Sequence, residues 1–428
     1  MKRHHLLLSL LAPAFGFAQS SFVLPMEDEA IGYNAPTRND PVARLQRKLE
    51  RGDVTLEYQS PGGYLLSVLR NLDVPVSSQV LVFSKTSFQL QLISPAAPRA
   101  LYFNDNVYIG WVKGSQVMEV SSVDPERGAF FYTLDNRDGS TIGFVRRDEC
   151  LQCHASPRTL GVPGHIVRSV YPDVEGFPQL QAGSFDTDDN SPISQRWGGW
   201  FVSGTHGAQR HMGNVWVKDR NQPERLDREA GANLTDLAKV VDLSSYASPH
   251  SDPVALMVLA HQSKLHNLIT RVGYETKLAL SHQQAISQAL KRPPEEWFDS
   301  TRRRIFGPVD ALLKYLLFSG EAPLTAPVRG TSDFQKQFAG LGPRDSKGRS
   351  LRDFDLDTRL FRYRCSFLIY SRALDSLPQP ALDYLYRRLY QILTGEQKEF
   401  DLLSASDRKA ILEILVETKP SLPAYFRR

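Results

Sequence analysis

Residues 150–154 read Cys150-Leu-Gln-Cys153-His154, and their types and spacing define what chemistry they can do. Residues three apart on a helical turn project to one side. The two thiols can therefore add to the two vinyl groups of a single porphyrin, while the adjacent imidazole offers a nitrogen to the iron as an axial ligand. Two other readings use the same residues. A bare C-x-x-C also serves as a thioredoxin-like redox pair or as half of a zinc site. Zinc would need a second pair of ligands, and the remaining cysteine, Cys365, has no histidine near it in sequence. A thioredoxin-like pair would need a βαβ setting, which the flanking residues do not predict. The compartment decides among the three, because haem is attached to such motifs outside the cytoplasm.

The N-terminus speaks to the compartment. Lys2 and Arg3 form a charged start, and Leu6 to Ala18 is an apolar run broken by Ser9, Pro13 and Gly16. Gly16 and Ala18 supply small residues at positions −3 and −1 of a cleavage site before Gln19, the pattern of a secretory signal peptide. The run is too short for a span of roughly 20 apolar residues. No cysteine lies near the cut to carry a lipid. The expectation is a chain secreted across the inner membrane, periplasmic in a Gram-negative host, with no stable membrane insertion.

The whole chain is 428 residues long and 41% hydrophobic, enough for more than one cored region. Removing Lys2 and Arg3 with the leader leaves 49 basic against 47 acidic residues, too even a balance to predict a nucleic-acid partner. Arg302-Arg303-Arg304 reads as a solvated helix face. Cys365 falls four residues from both Phe361 and Ile369 on an apolar stripe, which predicts a buried, inert thiol.

The elements that must position the motif form an α+β pattern: a β-rich antiparallel N-terminal part, a long haem-binding loop and an all-helical C-terminal part. The organisation is a signal peptide at 1–18, a β-rich region at 19–145, a haem-attachment region at 146–231 and a helical region at 232–428. Gln19 to Asp40 is polar and reads as an extended arm. Asp40-Pro41 opens a short helix to Arg51, and a second short helix covers Tyr64 to Leu72. Strand-like runs follow at 81–84, 100–103, 107–112, 117–121, 129–134 and 141–145, with turn residues between them. Their close spacing favours an antiparallel meander. Pro157 keeps the turn that bears the motif brief. The Gly- and Pro-rich stretch to residue 220 has a purpose if it wraps a porphyrin. Beyond it, Asp252-Pro253 caps a long helix with an apolar seam of Val254, Val258, His261, Leu265, Leu268 and Val272. More helices are predicted at 294–318, 355–371, 380–394 and 406–418.

Five side chains are candidates for the far side of the iron. His206, His211 and His261 carry similar weight, followed by His165 and Met212. Each has an ordinary alternative as a hydrogen-bonded or packed residue. His261 lies on the buried seam, where an imidazole needs a partner, whether iron, a carbonyl or a carboxylate. Met212 has polar neighbours, whereas a thioether ligand wants an apolar setting. Arg168, near His165, suits a peroxidase-type site that stabilises a departing charge, or equally an ion pair with a haem propionate or a surface carboxylate.

These residues carry a family likeness. The chain resembles a group of exported bacterial cytochrome-c-domain-containing proteins over most of its mature length. The likeness rests on Ala100-Leu-Tyr-Phe-Asn-Asp-Asn-Val-Tyr-Ile-Gly-Trp-Val112, on the CLQCH motif with Pro163-Gly-His165, on Arg196-Trp-Gly-Gly-Trp200 with Thr205-His-Gly207, and on Tyr363-Arg-Cys-Ser-Phe-Leu-Ile-Tyr370. It implies one haem c, with Cys150 and Cys153 as the attachment pair and His154 as the axial ligand, and electron transfer with an unknown redox partner protein. The chain departs from small soluble cytochromes c in its length and in the strands before its motif. Three functions are therefore carried forward: an electron-transfer cytochrome, a haem enzyme of peroxidase type, and an extracytoplasmic PAS-like haem sensor.

Overall fold

The computed structural model describes residues 23–36, 38–397 and 403–427. The expected signal peptide at 1–18 lies outside the described residues. Asp40 caps α1 (Pro41–Glu50), with one carboxylate oxygen accepting from the backbone N–H groups of Val42 and Ala43. The same carboxylate takes hydroxyl bonds from Ser122 and, at 2.9 Å, from Tyr132, so one buried acid both starts the helix and ties it to the sheet. The segment before it is not an extended arm. Ile31 and Tyr33 are buried and the Tyr33 hydroxyl bonds the Ala129 carbonyl, because their apolar surface finds a partner on the sheet.

After α2 (Leu65–Asn71) the meander is realised. Strands β1 (Val80–Val82), β2 (Arg99–Phe103), β3 (Val107–Val112), β4 (Val117–Asp124), β5 (Gly128–Asp135) and β6 (Phe144–Arg146) pair antiparallel in sequence order. The alternation of side chains along strands divides the sheet into two faces. Ala100, Tyr102, Ile109, Trp111, Met118, Val120, Phe130, Tyr132 and Leu134 join one core with α1 and α2. Phe103, Tyr108 and Val123 turn the opposite way into a second core with the helices.

The segment that follows β6 is irregular but not structureless. It carries α3 (Leu151–His154) and the two-stranded pair β7 (Arg168–Val170) and β8 (Ser184–Asp186). It also supplies β9 (Trp200–Phe201), which adds a seventh strand beside β1, and β10 (Gly204–Thr205), which pairs far down the chain with β11 (Arg329–Gly330). Two-residue strands leave almost no periodicity to read in the sequence.

Helical structure proper begins later than residue 232, with α4 (Pro253–Ala289). Residues 232–252 hold only a short 3-10 turn at Leu237–Lys239, since Asp236 and Asp242 bond nearby backbone N–H groups and favour turns over helix. Every seam residue from Val254 to Val272 is buried, and α5 (Asp299–Leu316) packs along α4. Then come α6 (Phe334–Gly340), α7 (Arg372–Asp375), α8 (Gln379–Thr394) and α9 (Ala405–Thr418). Gly395 closes α8 at φ 82°, and Ser404 caps α9 by accepting from the Asp407 N–H.

The helix expected over 355–371 does not form. The Asp355 carboxylate accepts from the backbone N–H groups of Asp357, Thr358 and Arg359, and Phe354 bridges back to Phe361 with their rings stacked. Local side-chain bonds of this kind compete with helical ones. Cys365 is still fully buried there, its thiol pushed up to about 12 by desolvation. No helix among the described residues is long and apolar enough to cross a membrane.

Asp252 caps the helix on which both halves pack, accepting from Val254 N–H at 2.8 Å and from the Ser332 hydroxyl at 2.7 Å. Asp252→Ala is expected to lower unfolding stability by about 2 kcal/mol, the upper end for a lost cap. Urea unfolding followed by circular dichroism checks this. An unchanged midpoint would show that α4 does not depend on its cap.

Candidate haem site

The motif sits on one continuous turn. A 3-10 turn at Asp148–Cys150 runs into α3, and Cys150 keeps helical backbone angles of −60° and −27°. Cys150 and Cys153 are therefore three residues apart on one helical path, both thiols free, Cys150 partly buried and Cys153 exposed. Ala155 leaves the helical region at φ −131° and ψ 64°. Ser156 and Thr159 then form a capping box around Pro157, and the chain turns back on itself.

That return fixes His154. The Gly164 N–H bonds the His154 carbonyl at 2.8 Å, and the Gly164 carbonyl lies 2.9 Å from His154 Nδ1. A carbonyl only accepts, so Nδ1 carries the proton and Nε2 keeps its lone pair, the form in which an imidazole binds metal. Burial, with Arg99 nearby, lowers the His154 pKa and favours that neutral form. Gly164 is held in turn by α4. Asn267 accepts from His165 N–H at 3.0 Å and donates to the His165 carbonyl at 2.8 Å. A Cβ on Gly164 would collide with the Asn267 side chain, so the close approach needs glycine.

Around the turn lies the less covered part of the sheet face. The Phe131 ring is 4.7 Å from the His154 ring. Arg99 on β2 pairs with Glu119 on β4, and both act electrostatically on Cys150 and His154. The Arg99 guanidinium lies over Gly110 of β3, in space that any Cβ would take. Its Nε is buried with no hydrogen-bond partner. A cation with an unsatisfied donor, two free thiols and an oriented imidazole together suit a tethered porphyrin whose propionate needs a cationic partner.

The competing readings fare differently. Burial, Glu119 and Glu149 push the Cys150 thiol up to about 11, whereas redox-pair cysteines are activated by a lowered pKa. Among the described residues no three His, Cys, Asp or Glu side chains gather as a metal-holding group. A porphyrin brings four nitrogens of its own and needs fewer protein donors.

The five distal candidates are dispersed. His165 is the one in ring contact with His154, at 6.4 Å between centroids. It directly follows Gly164, whose carbonyl stands on His154 Nδ1. Its Nε2 meets the Ser121 hydroxyl at 2.6 Å, its ring is 4.0 Å from Tyr108, and its Nδ1 is buried without a partner. His206 has both nitrogens engaged, Nδ1 with the Gln209 carbonyl and Nε2 with Asn233 N–H. His211 packs on Trp197 and His206; Nδ1 accepts from Gly213 N–H and Nε2 is buried without a partner. Burial and His206 bring its pKa down to about 3. Met212 is buried beside Tyr171 and Val217, its sulfur 3.7 Å from the Ser169 hydroxyl. Arg168 donates to Ser184, keeps a buried Nε without a partner and lies within electrostatic reach of Cys153.

His261 found the carboxylate that its place on the seam demanded. Nδ1 bonds Asp189 at 2.6 Å and Nε2 bonds the Ser366 hydroxyl at 2.7 Å, with Phe318 stacked on the ring at 4.6 Å. The row has the order of a hydrolytic triad. All three residues are buried, and Ser366 also accepts from Leu368 N–H, so the row joins the loop, α4 and the 363–370 segment as a structural bolt. Arg99, Gly110, Glu119, Phe131 and Asn267 escaped the sequence reading, because only strand register and folding-back bring them to the motif.

Comparison with protein-family models, curated proteins and solved structures finds no match.

His261→Ala leaves the Asp189 carboxylate buried without its partner. Stability is expected to fall by about 3 kcal/mol while the ferric absorption spectrum of haem-loaded protein stays as in wild type. Chemical denaturation and visible spectroscopy on the same sample check both; a spectral change with no loss of stability would mean that His261 touches the haem.

Proposed function

We propose that the mature chain is an exported monohaem c-type cytochrome, with one haem tethered by Cys150 and Cys153 and its iron held on one face by His154. When bound, the haem supplies a site that takes up and releases one electron. The observation that carries the reading is the preparation of His154: it shares a turn with both thiols, and the Gly164 carbonyl on Nδ1 leaves Nε2 as the free donor. Arg99 supports it as the cation for a propionate, which its unpartnered Nε could meet while the guanidinium stays paired with Glu119. Phe131 gives the imidazole an apolar wall that resists rotation. Export is part of the proposal and rests on the residue pattern at 1–18. The redox partner is an unidentified protein.

A specific observation favours a second reading, the peroxidase-type enzyme with an exchangeable sixth position. His165 has Nε2 on the Ser121 hydroxyl, and His206 and His261 have both ring nitrogens engaged. His165, with Nδ1 unpartnered, His211, with Nε2 unpartnered, and Met212 are the candidates still able to serve the carrier. Arg168, close to Cys153, would then hold the departing charge.

The ferric absorption and electron-paramagnetic-resonance spectra of the isolated protein separate the two. A carrier should be low-spin and six-coordinate, and His165→Ala, His211→Ala or Met212→Ala should convert it to high-spin and open it to cyanide. A high-spin wild type that binds cyanide readily, with peroxide turnover lost in Arg168→Ala, would replace the carrier by the enzyme.

A further inference from the structure

The sheet face that receives His154 is covered only in part, and the strand register shows where the cover ends. Phe103, Tyr108, Ser121 and Phe131 form one rank across β2 to β5. That rank is roofed: His165 meets Tyr108 and Ser121, and His154 meets Phe131. The next rank on the same face, two residues along each strand, is Leu101, Gly110, Glu119, Thr133 and Val145, from β2 to β6. Here the cover thins. Val145 is 51% exposed, and Val117, one rank further along β4, is 37% exposed.

Apolar β-branched side chains on the open part of an antiparallel sheet invert the usual pattern, in which the solvated face is polar. Singly they would be ordinary, so what surrounds them decides their meaning. The polar groups between them are already answered. Arg99 lies across Gly110 and pairs with Glu119, and the Thr133 hydroxyl accepts from Arg147 Nε at 2.9 Å. Cys150 borders this shelf, since Glu119 and Arg99 both act electrostatically on its thiol, and it follows Val145 by five residues. From Gly110 to Val145 is three strand spacings, roughly 14 Å, broad enough for one side of a macrocycle.

We propose that this shelf is the wall against which the tethered porphyrin packs, its apolar surface covering Thr133, Val145 and Val117 while Cys150 holds it at the side. The inference rests on the haem reading and adds to it the face of the protein that the ring covers. A second copy of this chain is the competing cover, because β6 is an edge strand of the sheet.

The test is thiol labelling of the full mature chain. Cys365 is fully buried and the attachment thiols are consumed by the haem, so Val145→Cys adds the single reactive thiol of the loaded protein. Its reaction with a maleimide is compared with that of the same variant carrying Cys150→Ala and Cys153→Ala, which holds no tethered haem. Val117→Cys repeats the comparison from another strand. Rates are taken relative to Val240→Cys, a position 43% exposed beside the core on the opposite face of the sheet, so that any general change in folding cancels. Haem loading should slow labelling at positions 145 and 117 at least about tenfold, as thiol reactivity follows exposure. Intact mass after labelling gives haem content and label on the same molecule, which separates this inference from the reading beneath it. Haem attached with labelling undiminished at either position would overturn the inference and leave the haem reading standing. No haem on the unsubstituted chain would remove both. Labelling that is slow without haem and speeds up on dilution would give the shelf to a second copy, and so overturn the inference as well.

Discussion

The hydrogen bond between His154 Nδ1 and the Gly164 carbonyl is the constraint on which the arrangement depends. It selects one tautomer and one ring orientation, and so decides which nitrogen is free. The bond stands because the main chain doubles it, Gly164 N–H to the His154 carbonyl, and because Asn267 clamps His165 from α4. A four-residue helix has no stability of its own. The orientation of the imidazole is thus borrowed from a helix more than a hundred residues away in sequence.

That borrowing gives a physical reason for the size of the chain. Helix α4 is largely buried as far as Ala279, with a polar column set into its apolar surface. His261 reaches Asp189 and Ser366, Gln262 reaches Asn104 and Tyr108, His266 reaches the Asp105 carbonyl, and Asn267 reaches His165. Buried polar groups left unpaired are costly, so each of these side chains specifies one neighbour rather than merely adhering to it. The sheet, the loop and the C-terminal helices are registered against the same column. The scaffold thereby positions the turn that bears Cys150, Cys153 and His154.

Much of this was legible in the sequence, for reasons that differ by element. The strands and the long helix announce themselves by periods of two and 3.6, and β3 begins and ends where its residues predicted. Asp40 and Asp252 showed their caps through the proline that follows each. The segment 355–371 has a helical pattern of apolar residues, but Asp355 and Ser366 divert the backbone into turns, a competition that periodicity cannot weigh. At the site, the three motif residues were readable because the chemistry fixes their spacing. Arg99, Gly110 and Glu119 were not, because strand pairing brings Gly110 opposite Glu119 and only the fold lays Arg99 across them. His261 was read correctly as buried and in need of a partner, while the identity of that partner, Asp189, depended on how the loop returns.

The central claim is that the turn at Cys150–His154 carries a covalently attached haem. Mass spectrometry of the protein isolated from an exporting host with its haem-attachment machinery intact tests it most directly. The account predicts an intact mass one haem above that of the polypeptide beginning at Gln19, with the added mass retained after denaturation and mapped by proteolysis to the peptide holding Cys150 and Cys153. A mass equal to that of the polypeptide alone, with both thiols free to alkylate, would contradict it.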